Sequence, residues 1–148
     1  MATTVSKTTF TSKITETISV NNHHQQIETT LSISDVTDYS HRVMSVATGT
    51  SSIIILAAAD AAGTVDKARF KYLRITNLDD TNNVRLSFLL ASGDTYEVVL
   101  SPKTSHMLTT KSADITTGAA AVSLEDVAQI KGTATGAACD IELLTIAT

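Results

Sequence analysis

From Phe10 to Val20 the apolar side chains fall on even positions, at Phe10, Ile14, Ile18 and Val20, while Thr11, Lys13, Thr15, Thr17 and Ser19 take the odd ones. A period of two belongs to a strand with one covered face, because successive side chains of an extended chain point to opposite sides. After the polar run Asn21-Asn22-His23-His24-Gln25-Gln26, the residues Ile27, Leu31 and Ile33 alternate with Glu28, Thr30 and Ser32. Setting Val20 opposite Ile27 and Ile14 opposite Ile33 places all the apolar residues on one face of a hairpin. A slip of one residue would turn one apolar set to water.

The middle of the chain repeats this pattern. Leu73 and Ile75 precede Leu78-Asp79-Asp80-Thr81-Asn82-Asn83, and Val84, Leu86, Phe88 and Leu90 follow it. Ile75 opposite Leu86 and Leu73 opposite Phe88 give a second hairpin. Ala91-Ser92-Gly93-Asp94-Thr95 is the next turn, with Leu90 expected opposite Tyr96 and Gly93 supplying the positive φ that short hairpin loops want. Tyr96, Val98 and Leu100 form the strand that follows, and Pro102 ends it, having no N–H for a ladder. Ala128, Ile130, Gly132 and Ala134, then Cys139, Ile141 and Leu143 beyond Thr135-Gly136-Ala137-Ala138, predict a last hairpin. Leu144 and Ile146 lie on the opposite side from Leu143, so this last strand is either central or covered by something else.

Three stretches are less regular. Arg42 to Val46 and Ser52 to Ala59 suit a strand pair across Thr48-Gly49-Thr50, while Ala57 to Ala62 also suits a helical turn. Ser123-Leu124-Glu125-Asp126 has the spacing of a capping box, which allows a short helix before Val127. Between Phe70 and Ile75 the apolar phase changes from even to odd, as a bulge or a two-faced strand would produce. The expected fold is all-β: an antiparallel sandwich of jelly-roll type with nine or ten strands and at most one short helix. A polar arm over residues 1–9 precedes a single sandwich domain over residues 10–148.

Composition narrows the reading. The chain has 148 residues, enough for one core and cramped for two. Roughly 25 are threonine, a β-branched residue that suits a pleated surface. One cysteine excludes an internal disulfide and any multi-cysteine zinc module. A net charge of −4 disfavours nucleic acid as main partner, since binding phosphates needs a surplus of Lys and Arg. The apolar run Ile53 to Ala62, broken by Asp60, is about half the ~20 residues of a spanning helix. The first residues lack the apolar stretch of a signal peptide, so a soluble protein made in a cytoplasm is expected.

Candidate chemistry is sparse. His23 and His24 are adjacent, and adjacent strand residues face opposite ways, so joint metal ligation needs special turn geometry and a third ligand. Asp79-Asp80-Thr81-Asn82-Asn83 offers oxygens but not the order of an EF-hand, and Asn and Asp favour ordinary turns. Cys139 shares its phase with Ile141 and Leu143, which predicts burial rather than nucleophilic work with His41 or His106. Glu16, Glu97 and Glu142 make no evident pair for glycoside hydrolysis, and no glycine-rich phosphate loop occurs. No catalytic, cofactor or metal residues are therefore assigned. Lys67, Arg69, Lys71, Arg74 and Arg85 hold five of the eleven basic side chains. Arg74 and Arg85 point away from the expected core, into solvent first, against an acidic surface of a neighbouring subunit second, and in a patch for an anion or nucleic acid third. Leu144 and Ile146 join them as candidate subunit contacts, unless an N-terminal segment of the same chain lies over them.

The stretch from Lys71 to Phe88, with Tyr72-Leu73-Arg74-Ile75, Asn77, Asp79, Thr81-Asn82, Val84, Leu86 and Phe88, resembles small β-sandwich virion proteins of tailed bacteriophages. Its continuation Gly93-Asp94-Thr95-Tyr96-Glu97-Val98-Val99-Leu100-Ser101-Pro102 is similar to them too. So are Ile130-Lys131-Gly132 and Cys139-Asp140-Ile141-Glu142-Leu143-Leu144. The likeness covers about residues 36 to 146. It implies a non-enzymatic structural protein of the particle, without cofactor, acting as a homo-oligomer on capsid or other virion proteins. A capsid decoration (cement) protein is the first expectation, a tail, baseplate or head-fibre component the second. From another class, a carbohydrate-binding sandwich would need exposed aromatic faces, for which Tyr39 and Tyr72 are the candidates.

Overall fold

The computed structural model describes residues 6–57, 64–114 and 124–148. The described residues form twelve strands and no helix. They are β1 (Thr8–Val20), β2 (His23–Val36), β3 (Asp38–Val46), β4 (Ser51–Ala57), β5 (Thr64–Asp66), β6 (Phe70–Asn77), β7 (Val84–Leu90), β8 (Thr95–Leu100), β9 (Ser105–Leu108), β10 (Ser112–Ala113), β11 (Glu125–Ala134) and β12 (Cys139–Ala147). One sheet has the order β3-β12-β6-β9; a second has the order β5-β4-β11-β7-β8, with β10 on β11; β1 and β2 form a third. All pairings are antiparallel except β4 with β5.

Counting only β3, β4, β6, β7, β8, β9, β11 and β12, the two sheets run first-eighth-third-sixth and second-seventh-fourth-fifth. That is the jelly-roll arrangement, in which paired strands fold over as two Greek keys. Its core is the set of inward residues that the alternation picks out: Leu73 and Ile75 on β6, Leu86 and Phe88 on β7, Ile130 on β11, and Cys139, Ile141 and Leu143 on β12. Gly132 belongs to this face, and a Cβ built there would lie 2.7 Å from Ile53 Cδ1 and 3.1 Å from Val46 Cγ1. A side chain there would push the end of Ile53 on the adjacent strand aside and crowd Val46 from the opposite sheet.

Several expectations need correcting. The described residues form twelve strands, rather than nine or ten. Glu125 begins β11, so no helix precedes Val127 among the described residues. Ser123, residues 58–62 of the alanine-rich stretch, and residues 1–5 of the arm lie outside them. The arm itself enters a strand at Thr8. Of the expected hairpins, β6 with β7 and β11 with β12 do not pair, and neither do β3 and β4; each pair is divided between the two sheets. The turns at 78–83, 135–138 and 47–50 cross from one sheet to the other instead. In a sandwich, a strand across the gap turns the same face inward as a strand alongside would, so alternation alone does not separate the two.

The hairpins that do form have shifted registers. Phe88 pairs Tyr96, where Leu90 was expected. Val20 pairs His23 and Glu16 pairs Ile27. The turn between β1 and β2 is therefore only Asn21-Asn22, with φ of 49° and 65°. Two consecutive left-handed residues make the type I′ turn whose twist matches the strands it joins, and asparagine tolerates that region. Gly93 takes a φ of 98°, and Pro102 follows the end of β8, both as expected. The phase change in β6 has both anticipated causes. The register with β12 slips between Tyr72 and Phe70, and Tyr72 faces outward while Phe70 and Leu73 face the core.

Candidate functional site

The hairpin of β1 and β2 is the least body-bound part of the described chain. Its face with the even residues of β1 and the odd residues of β2 carries Phe10, Ile14, Ile18, Val20, Ile27, Leu31 and Ile33. Near the base, Phe10, Leu31 and Ile33, with Val36, pack on Tyr72, Leu144 and Ile146 from the outer face of the β3-β12-β6-β9 sheet. Phe10 meets Tyr72 with ring centroids 5.0 Å apart. This second small core explains the two apolar faces of β12, which is both central and covered.

Beyond the base the same face is uncovered. Ile14 is 37% exposed, Val20 55%, and Ile18 and Ile27 57% each. All of β1 from Lys13 onward and of β2 as far as Thr30 is exposed. Ile18, Val20, His23, His24 and Gln25 line a shallow hollow at the tip. A two-stranded ribbon is at best marginally stable by itself in water, and clustered exposed aliphatics mark a contact surface. The opposite face is polar, and Lys13 and Glu28 pair there at 2.8 Å.

The outer face of the body sheet beside the hairpin holds a charged group of three. Glu142 on β12 lies 2.9 Å from His41 Nε2 on β3 and accepts from Arg74 on β6 at 2.8 Å. The His41 contact and the Arg74 guanidinium hold the Glu142 carboxyl below the usual carboxylate range. Exposed Val43 and Met107 flank the group, and Tyr39, on the same strand as His41, is 71% exposed.

The residues singled out from the sequence do not come together. Arg74 is on the outer face of one sheet, whereas Arg85 projects from the other and pairs with Glu97 at 3.6 Å. Leu144 is half-buried and Ile146 buried, both under the hairpin of their own chain. That removes Ile146 from reach of a neighbour, and the covering N-terminal segment is the arrangement found. Of the other basic residues, Arg69 donates to the Thr148 carbonyl at 2.8 Å, and Lys67 lies 3.8 Å from Asp126. These are attachments within the chain. Tyr72 is 1% exposed, which leaves it no part in a sugar platform.

The remaining candidates are turns and core positions. Asp79 Oδ1 accepts from the backbone N–H groups of Asn82 at 2.6 Å and Thr81 at 2.7 Å, and these bonds hold its carboxyl below its ordinary value. One oxygen of this carboxylate is thus engaged by the turn itself. Asp80 pairs instead with Lys103 at 2.9 Å. Among the described residues, no three His, Cys, Asp or Glu side chains group to hold a metal. Cys139 is buried, and burial pushes its thiol up, away from nucleophilic character. A cleft of about 150 Å³ opens between the sheets beside Asp38, Ser40, Arg42 and Thr145. It falls below the ~300 Å³ at which small-molecule sites usually begin.

Sequence reasoning missed the tip of the hairpin, although its signal was present. The alternation Ile14, Ile18, Val20, Ile27 is legible in the sequence, but alternation alone does not distinguish a covered apolar face from an exposed one. Comparisons with protein families, characterised proteins and solved structures gave no match to this chain.

Proposed function

We propose that this is a non-enzymatic structural protein of a tailed-phage particle, a capsid decoration protein made in the host cytoplasm that binds the head lattice as a homo-oligomer. The observation that carries the reading is the distal half of the β1–β2 hairpin, which exposes aliphatic side chains in a row. A rigid jelly roll with a projecting ribbon is built for touching neighbours. The resemblance of residues 36–146 to small virion sandwiches supports the particle, and jelly rolls recur in capsid proteins, a fold-level analogy.

The test mixes the purified protein with expanded capsids that lack it. Co-sedimentation and a higher disruption temperature of the particles are the expected results. Capsids that neither bind it nor gain stability would overturn the decoration role. Immunogold label on the tail instead of the head would replace it with a tail or baseplate role.

A further inference from the structure

We infer that the open edge of β3 is a self-association surface, on which the β3 strand of a second copy of this chain pairs antiparallel and joins two β3-β12-β6-β9 sheets into one. This edge rests on the structural-protein reading above and gives the homo-oligomer of that reading its contact.

Among the described residues β3 pairs with β12 alone, and its other side is an edge of the sheet. The strand is nine residues long, and its register with β12 runs without a shift from Asp38 to Val46. The other edges of the two body sheets are shorter, with six residues in β8, four in β9 and three in β5. Long edges are normally blunted by proline, lysine or a bulge. β3 has none of these.

The hydrogen bonds of β12 fix which main-chain groups of β3 face the open side. Leu78 N–H donates to the Asp140 carbonyl at 2.9 Å on the β6 side of β12, and Thr37 N–H donates to the Ala147 carbonyl at 3.2 Å on the β3 side. Even residues of β12 thus turn to β6 and odd ones to β3, because the groups of an antiparallel strand alternate. Leu143 stands opposite Arg42 and Ile141 opposite Met44. Arg42 and Met44 therefore bond to β12, while Tyr39, His41 and Val43 direct their N–H and C=O groups outward.

Three outward residues spaced by two are a complete half of a two-fold ladder. With His41 on the axis, His41 pairs with His41 of the second copy, and each Tyr39 pairs with the other copy's Val43. Those two side chains are 71% and 58% exposed, and the pairing sets them side by side on the outer face. Each His41 keeps its own Glu142 at 2.9 Å. On the inner side Ser40 falls beside Arg42 and Asp38 beside Met44. An axis on Arg42 would oppose two guanidinium groups, which is unfavourable. An axis on Ser40 would set Val43 against Thr37, whose N–H is already given to Ala147. A second copy brings this strand already extended and held by β12, whereas a loose peptide would lose chain entropy on pairing.

The test measures native mass by light scattering and amide hydrogen exchange on the full chain. The unmodified protein is expected at twice the 15.6 kDa chain mass or a multiple of it. The amides of Tyr39, His41 and Val43 should exchange at least about tenfold slower when associated than after dilution to monomer, while that of Arg42 is protected in both. Val43→Pro removes an N–H that β12 does not use, a position where an edge strand accepts proline. It is expected to weaken self-association at least about 100-fold, through the bond lost in each half. Val99→Pro is the matched control. Leu90 N–H donates to the Asp94 carbonyl, so the even residues of β8 face β7 and the N–H of Val99 lies on the open edge of that strand. Val99 is 59% exposed, and its substitution should leave the mass unchanged. Circular dichroism checks that both variants stay folded, and His41→Lys, which opposes two ammonium groups on the axis, should dissociate the protein without a change to the main chain. A monomeric unmodified protein overturns the inference. So do associated copies whose Tyr39, His41 and Val43 amides exchange at the monomer rate, Val43→Pro and His41→Lys variants that both keep full mass, or a Val99→Pro variant that dissociates equally. A β3-paired oligomer that ignores capsids defeats the particle role alone, whereas a monomer that binds them defeats only this edge.

Discussion

The side-chain amide of Asn77 donates to the main-chain oxygen of Asn82 at 2.9 Å, at the point where the chain leaves one sheet for the other. The same Nδ2 lies 3.2 Å from the Leu100 carbonyl and 3.3 Å from that of Ser101, and Oδ1 accepts from the Asp79 N–H at 3.0 Å. Asn77 is fully buried. One buried polar side chain thus ties the β6–β7 crossing to the end of β8. Asn77→Ala is expected to cost about 2–3 kcal/mol, the penalty of stranding such groups. Asn77→Asp should cost more, because a carboxylate would face carbonyl oxygens. Urea unfolding curves give both values, and equal or smaller losses for the aspartate would contradict this assignment.

Gly132 is expected to resist any enlargement. A methyl group there meets the ends of Ile53 and Val46 inside a closed core, so Gly132→Ala should lose about 1–3 kcal/mol. Ile53→Val removes the Cδ1 atom at the closest approach. Combined with Gly132→Ala, it should recover part of the loss, a non-additivity that a double-mutant cycle detects.

Acid should weaken the fold in two stages. His106 on β9 packs edge-on against Phe88, with ring centroids 5.3 Å apart, and burial pushes its pKa below the ordinary 6.5. The unfolded chain then binds the proton that the fold refuses, so stability falls as pH drops from about 6.5 to the folded value. Glu142 adds a second loss. Its carboxyl, held low by His41 and Arg74, contributes stability above about 4.5 that disappears as pH falls through its folded value. Melting temperatures across pH 3–8 test both stages. His106→Leu should flatten the upper slope and Glu142→Gln the lower one.

Cys139 should be silent in the native protein. It is fully buried beside the core, and its thiol is pushed up by that burial. Thiol reagents at neutral pH are expected to label it only as fast as the protein unfolds, at least about 100-fold slower than in denaturant. Labelling of the folded chain at the free-thiol rate would rule out the buried placement.

The turn at the hairpin tip offers a stabilising change. Asn22 sits at a φ of 65°, where glycine carries no Cβ penalty. Asn22→Gly gives the Asn-Gly pair favoured in type I′ turns. Hydrogen exchange of the ladder from Ile14 to Val20 should slow severalfold, while the body strands exchange unchanged.

Much of this architecture was legible in the alternation of side chains. Phe88, Ile130, Cys139 and Ile141 were marked as inward-facing, and each is buried. The second apolar face of β12, read from Leu144 and Ile146, correctly required a cover. The candidate site was legible only as an apolar stripe. Ile33 and Ile27 belong to the same alternation, yet one sits against Tyr72 and the other in solvent. Nothing local to either residue distinguishes them, because exposure depends on where the body of the sandwich ends.

Periodicity assigns each side chain to a face through the geometry of one extended strand, a property of neighbouring residues alone. The lateral partner of that strand is a different matter. Leu73 and Phe88 turn toward the same interior whether their strands lie side by side or across the gap, so both pairings satisfy the pattern equally. Packing of the whole chain broke that tie in favour of opposite sheets. In that arrangement β12 and β11 both lie inside their sheets, and Gly132 sits close to Ile53 beside it and Val46 across the gap.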